Sequence, residues 1–310
     1  MEKVNQTNRV SEFILLGLSS RPEDQKPLFV IFLIMYLITL IGNLLIILAI
    51  YYDPQLHTPM YFFLSFLSFT DVSFTTAIVP NMLVNFLSEK KTISYAGCVI
   101  QMYFLYALGN TDSCILAAMA IDRYVAICDP FHYVTTMSHR RCVLLLALSC
   151  CIAHPHSLLH ILLVNRLTFC GSNVIHHFLC DINPLLKLSC TSTYLNELVI
   201  KTEGLVILVS PFLCISFSYI RILITVIKIP SAAGKHKAFS TCGSHIAVVT
   251  LFYGSIFYVY LQPLSSYTVK DRVATIIYTV LSSMLNPFIY SLRNKDLKRV
   301  LKKLVGRRKT

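Results

Sequence analysis

Residues 119–128 read Met-Ala-Ile-Asp-Arg-Tyr-Val-Ala-Ile-Cys, and they stand where an apolar stretch of membrane-crossing length gives out. A charged side chain at the centre of a bilayer costs about 2.5–3.5 kcal/mol on insertion scales. The Asp122–Arg123 pair therefore belongs at the edge of the lipid, where its use is functional: a polar latch at the cytoplasmic end of a helix. The chain around it is of the same kind. It has 310 residues, 55% of them hydrophobic and 14% charged, no Trp, and a mean hydropathy of +0.64. A soluble protein of this length could not bury so much apolar surface, so lipid is part of its solvent.

Stretches near 28–51, 58–80, 96–121, 142–164, 198–220, 238–261 and 273–292 each approach or exceed the roughly 20 residues that cross a bilayer as a helix. Polar breaks separate them, as at Glu89-Lys90-Lys91 and Arg140-Arg141. This predicts an all-α membrane protein, a seven-transmembrane-helix bundle. An odd number of spans puts the termini on opposite sides. No internal repeat or low-complexity segment divides the chain, so residues 1–310 read as one domain. Residues 1–27 form an extracellular N-terminus, 28–292 the bundle and 293–310 a cytoplasmic tail.

Lys and Arg near the span ends set the orientation. With the N-terminus outside, Arg140, Arg141, Lys228, Lys235, Lys237 and a tail rich in Lys and Arg lie inside. The bias is modest and rests on the tail. The net charge of +12 thus reads as attraction to anionic inner-leaflet lipid, with no basic-aromatic interleaving to suggest nucleic acid. Asn5-Gln6-Thr7 is an N-glycosylation acceptor that is meaningful on the same orientation. No apolar signal precedes Leu28, so the first span acts as the insertion signal.

Past the last span, Leu297, Val300, Leu301 and Leu304 share one helical face and Lys298, Arg299, Lys302 and Lys303 the other. That pattern is a short amphipathic cytoplasmic helix lying on the inner leaflet.

Of the 11 cysteines, Cys98, Cys170, Cys180 and Cys190 lie outside the spans, where an oxidising compartment implies two disulfides with three possible connectivities. The other seven read as small reduced hydrophobes. Asp71 and Asp112 are carboxylates inside spans two and three. Either they are hydrogen-bonded structural groups, or they share a sodium ion or a proton. On span three, Met102, Leu105, Tyr106, Gly109, Asn110 and Ser113 recur at helical steps, as do Tyr253, Ile256, Phe257 and Tyr260 on span six. Such stripes are ordinarily helix-packing core. His177-Phe178-Leu179-Cys180-Asp181 has the look of a metal-ligand cluster, and His154, His156 and His160 crowd span four.

The 119–128 string resembles the third-helix end of rhodopsin-like G-protein-coupled receptors, and with its Met-Ala lead and Val-Ala-Ile-Cys tail that of olfactory receptors. The likeness covers nearly the whole chain. It includes Phe13-Ile14-Leu15-Leu16-Gly17, Gly42-Asn43, Leu56-His57-Thr58-Pro59-Met60-Tyr61, Ser218-Tyr219 and Lys237-Ala238-Phe239-Ser240-Thr241-Cys242. Span seven ends Met284-Leu285-Asn286-Pro287-Phe288-Ile289-Tyr290. Ile121, Cys150 and Ser283 depart from the pattern, standing where Tyr, Trp and Pro are usual.

The resemblance implies an odorant receptor in the plasma membrane. It would bind a small volatile, mostly apolar odorant in the helix bundle and activate a stimulatory heterotrimeric G-protein, raising cAMP. It would be no enzyme and need no cofactor beyond a bound sodium ion at Asp71 and Asp112. Arg123 would hold Asp122 at rest and meet Tyr219 and the G-protein when active, with Tyr124, Lys237, Asn286, Pro287 and Tyr290 in the same switch. Tyr106, Asn110, Tyr253, Phe257 and Tyr260 become ligand wall, completed by Ile207, Ile276 and Thr279. The implied disulfides are Cys98–Cys180 and Cys170–Cys190. With Cys180 so bonded, the best metal ligand of its cluster is gone.

Two other readings remain. A rhodopsin-like receptor for another small ligand lacks support from Leu105, which stands where amine receptors carry Asp, and 273–292 has no Lys for retinal. A transporter would show inverted repeats or broken midplane helices, and neither is visible.

Overall fold

The computed structural model describes residues 10–170, 172–260 and 269–306, leaving aside the side chains of 236, 237, 240, 241, 269, 270, 292, 293, 295 and 304–306. Asn5 therefore lies outside the described residues. Seven helices among these residues are long and apolar enough to cross a membrane. Span one is α1 (Pro22–Tyr52), span two α2 (Pro59–Leu87) and span three α3 (Tyr95–Cys128). A one-turn α4 (Tyr133–Thr136) leads into span four, α5 (His139–Asn165). The short α6 (Ile182–Leu186) follows in the loop. Span five joins α7 (Tyr194–Val199) to α8 (Leu205–Ile227) through a π-turn at Ile200–Gly204. Span six lies in α9 (Ala232–Tyr260). Span seven joins α10 (Val269–Ile276) to α11 (Ser282–Arg293) through a second π-turn, Ile277–Leu281. A further helix, α12 (Lys295–Gly306), follows the last span.

The helices outrun the apolar stretches that announce them, because backbone hydrogen bonding continues past the lipid edge until a cap stops it. Residues 22–27, read as N-terminal segment, already belong to α1, which opens with Pro22 in its first turn. Ser94 accepts from the Gly97 amide (3.0 Å) to cap α3, and α3 runs to Cys128, so the Asp122–Arg123 pair sits within its last two turns. Proline is tolerated inside these helices, since neighbouring helices re-satisfy the freed backbone groups. At one of them the packing needs glycine. A Cβ on Gly42 would stand 3.0 Å from both Cβ and Cγ of Pro287, so Gly42 lets α1 and α11 touch.

No alternating apolar pattern announces a sheet, yet three short strands form one. β1 (Glu12–Leu15) lies between β2 (Thr92–Ser94), antiparallel with Phe13 opposite Ile93, and β3 (Val174–Ile175), parallel with Leu15 opposite Ile175. Phe13 and Leu15 are buried beneath it with Cys98 and Cys180, so the segment before span one is stitched into the outer loops. Helix α3 is the axis of the bundle and packs on α2, α5, α8 and α9. Ile34, Ile41, Leu44 and Leu48 on α1, and Phe217, Ile220, Leu223 and Ile227 on α8, remain exposed as lipid-facing stripes. On α12, Leu297 and Val300 are buried against the bundle while Lys298, Arg299, Lys302 and Lys303 face out.

Candidate functional site

A cavity of about 550 Å³ opens between the outer halves of the helices. Leu105, Tyr106, Gly109 and Asn110 line it from α3, one face at helical spacing. His156 and His160, one turn apart, face it from α5. The π-turn of span five supplies Ile200, Lys201 and Gly204, and α8 adds Leu205 and Leu208. Phe252, Ile256 and Tyr260 close it from α9, Tyr278 from span seven, and Ile182 from the outer loop.

That loop is fixed by covalent bonds. Cys98 at the top of α3 is joined to Cys180, and Cys170 to Cys190, with Cα–Cα distances of 5.4 and 5.9 Å. The first bond sets the next residue, Asp181, above the cavity. Asp181 Oδ1 accepts from the Tyr106 hydroxyl (2.6 Å) and from the backbone amide of Ile182 (2.7 Å). The Tyr260 hydroxyl reaches Asp181 at 3.4 Å and the Tyr278 hydroxyl at 3.4 Å. A buried carboxylate thus collects tyrosines from spans three and six under the loop. In the same loop His177 stacks on Phe178 (centroids 4.6 Å apart), and its Nδ1 accepts from the Leu179 amide (3.3 Å). Burial, then the positive charge of Arg272, pushes the His177 imidazole down to about 3.

The opposite wall carries a polar chain. Asn110 Nδ2 lies 2.9 Å from His156 Nδ1, and the Nε2 atoms of His156 and His160 are 3.1 Å apart. Below the cavity the hydroxyls of Ser113 and Tyr253 share a hydrogen bond of 2.5 Å.

The other end of α3 holds the charged latch. Asp122 Oδ1 accepts from the Tyr133 hydroxyl (2.8 Å), whose proton is held on by burial first and by the charge of Asp122 second. Arg123 donates instead to the Met60 sulfur, and its buried Nε has no partner. No ion pair within 4.0 Å joins Asp122 to Arg123 among the described residues. Successive residues on a helix do not face each other, so each finds a partner on a different element. Tyr219 bonds His245 Nδ1 (2.7 Å). Tyr124 packs with Tyr219 beside Ile222 and Val226. Deeper in the bundle, Asn286 donates to Asp71 Oδ2 (2.8 Å), and Thr70, next to Asp71 on α2, donates to Asp112 on α3.

The family model described as olfactory receptor matches residues 32–308. The chain belongs to the olfactory receptor family. Olfactory receptor 1L8 of Homo sapiens is 74% identical over 308 residues, covering 99% of this chain and all of the relative, 100%. Olfactory receptor 1L1 of Homo sapiens is 72% identical over 305 residues, covering 98% and 85%. Olfactory receptor 1f45 of Rattus norvegicus is 54% identical over 309 residues, covering 99% and 98%. The crystal structure of squid rhodopsin shares the fold, with a TM-score of 0.74 at 21% identity over 92% of this chain and 86% of that one. This olfactory receptor is accordingly a multi-pass plasma-membrane protein that takes a small molecule, signals through a G-protein, and is no enzyme.

Six of the receptor's sequence candidates, Leu105, Tyr106, Gly109, Asn110, Ile256 and Tyr260, line the cavity. The others lie around it. Met102 is fully buried with Cys98 under the outer loop, and Ser113 and Tyr253 form the pair below. Phe257 packs edge-on against Phe212 with centroids 5.1 Å apart. Ile207 and Ile276 are half-buried and outside the lining, and Thr279 is buried with its hydroxyl on the Thr275 carbonyl (2.6 Å). In the switch, Pro287 meets Gly42, and the buried Tyr290 hydroxyl has no partner. The Lys237 side chain lies outside the described residues. Wall residues outside that candidate set are His156, His160, Lys201 and Tyr278, and His245 is likewise an unannounced partner of Tyr219. A visible signal existed for the first two, a polar i, i+4 pair on an apolar helix.

Proposed function

We propose that this receptor binds a small, volatile, mostly apolar odorant in the cavity between α3, α5, α8 and α9, and activates a stimulatory heterotrimeric G-protein from the Arg123 end, raising cAMP. One observation carries the reading. The cavity wall (Leu105 to Asn110) and the latch (Asp122, Arg123) are two ends of the single buried helix α3, so a ligand at one end bears on the other. The cavity is apolar with few hydrogen-bonding groups, which suits a neutral odorant. Expression in cells with an odorant panel and a cAMP readout tests it. A rise abolished by loss of the stimulatory subunit supports the reading, and a response through an inhibitory or calcium-linked subunit contradicts the coupling.

The whole chain acts as one receptor domain, with the N-terminus, carrying Asn5, outside and α12 on inner-leaflet lipid. The two disulfides at the sheet end and the Lys and Arg of the tail at the other support that orientation. Asp71 and Asp112 hold a sodium ion or a proton. The donor set fits a hard monovalent cation, since Oδ1 of Asn43 and Oδ1 of Asn286 are buried beside this cluster without a partner.

A further inference from the structure

The cavity has fewer polar groups to offer a ligand than its lining suggests. Tyr106 spends its hydroxyl on Asp181 at 2.6 Å, and Tyr260 lies between Asp181 and Tyr278. Ser113 and Tyr253 spend theirs on each other below. Lys201 is ion-paired with Glu197 at 3.6 Å. Besides the exposed Lys201 and His160 Nδ1, which is buried without a partner, Asn110 is the hydrogen-bonding group left on the inner wall, and its amide is not free to turn. Its Nδ2 faces His156 Nδ1 at 2.9 Å, so the amide donates and that ring nitrogen carries no proton. The His156 proton is then on Nε2, which donates to His160 Nε2 at 3.1 Å. His160 in turn keeps its proton on Nδ1. Every link is fixed by the one before it, and both rings are neutral. His156 and His160 are 6% and 2% exposed, and His160 stacks on Tyr106 with centroids 5.5 Å apart. The chain of rings is therefore clamped, and it leaves Oδ1, an acceptor, as the atom Asn110 has for a ligand.

We propose that the cavity selects odorants bearing a hydroxyl group, whose proton Asn110 Oδ1 accepts, with His156 and His160 as positioning residues that hold the amide in that sense. The proposal rests on the odorant-receptor reading above. A ketone of the same skeleton brings an acceptor against an acceptor, and a site built around one hydrogen-bond sense disfavours the opposite one.

The test is a series of secondary alcohols, the ketones of the same skeletons and the parent alkanes, applied to cells expressing the full chain, with cAMP dose-response and surface expression read together. Alcohols should be more potent than their ketones by roughly 2- to 13-fold, the range of one neutral hydrogen bond. Asn110→Leu should bring that ratio to about one. His156→Phe should do the same although Asn110 is still present, whereas a packing role alone would weaken alcohol and ketone alike and leave the ratio standing. His156→Gln, which keeps an oxygen for Asn110 Nδ2, should preserve the ratio and serves if His156→Phe fails to reach the surface. Ketones equal or superior to alcohols, or a ratio that survives Asn110→Leu, overturns the proposal. So does a receptor that answers only odorants outside the series. A receptor that reaches the surface and answers no odorant at all overturns the underlying reading instead.

Discussion

Tyr219 donates its hydroxyl proton to His245 Nδ1 across 2.7 Å, and the two rings stack with centroids 5.6 Å apart. The direction is settled at the far side of the imidazole. His245 Nε2 lies 3.0 Å from the Leu116 carbonyl, which can only accept, so the proton is on Nε2 and Nδ1 is the acceptor. One neutral histidine on span six thus ties spans five and three together and engages the tyrosine that the family resemblance assigns to Arg123 in the active state. Removing it with His245→Phe should release Tyr219 and raise basal cAMP. One hydrogen bond of about 0.5–1.5 kcal/mol corresponds to roughly a 2- to 13-fold population shift. Unchanged or lower basal signal at equal surface expression would contradict the tie.

Among the described residues the one hydrogen bond of the Arg123 side chain is to the Met60 sulfur, with Nε buried and unpartnered, and no ion pair of the fold runs through it. Arg123→Ala should therefore reach the surface and lose odorant-driven cAMP. Normal signalling by a surface-delivered Arg123→Ala receptor would remove the coupling role.

Cys98 and Cys180 form one bond beneath the strand that carries Phe13. Cys98→Ser and Cys180→Ser should lose surface delivery to a similar degree, and the double variant should add little. Clearly additive losses, scored by surface labelling, would show that the two thiols act separately.

His177 sits in the same loop with its imidazole pushed down to about 3 by burial and Arg272. A histidine depressed in the folded state binds its proton first when the loop opens. Its contribution is complete above the ordinary value near 6.5 and declines as pH falls below it, by about 1.4 kcal/mol per pH unit. Protection factors of residues 12–15 and 174–182, referred to the intrinsic exchange rate at each pH, should fall between pH 6.5 and 5 by that order. His177→Phe should flatten the dependence, and an equal slope in that variant would refute the cause.

The spans were readable because apolar length alone defines them, and the latch because a charged pair at a lipid edge has few uses. Four of the six residues of the α3 stripe line the cavity for the same reason, helical periodicity. Spans five and seven were less legible. Each carries a π-turn, which inserts an extra residue and rotates the following face by about 100°. Ile200, Lys201, Gly204 and Tyr278, all within those turns, line the cavity, where the family resemblance implies Ile207, Ile276 and Thr279. The histidines of α5 were visible as a cluster, but their partner Asn110 is on another helix, and no local pattern joins the two. The strand at Glu12–Leu15 was hidden because its partners come from two distant loops.

We place the odorant in the cavity between α3, α5, α8 and α9. Gly204 lines it, and a Cβ there would have the Val199 carbonyl no nearer than 3.9 Å, so the backbone has room for a side chain. Gly254 on α9 faces outward with nothing within 4 Å of its Cβ, and supplies the control. The decisive measurement is the agonist dose-response of Gly204→Leu beside Gly254→Leu at matched surface expression. Filling the cavity should lower potency at least about tenfold, equivalent to about 1.4 kcal/mol of lost binding, while Gly254→Leu stays near the parent. Gly204→Leu that responds like the parent receptor would place the odorant somewhere else.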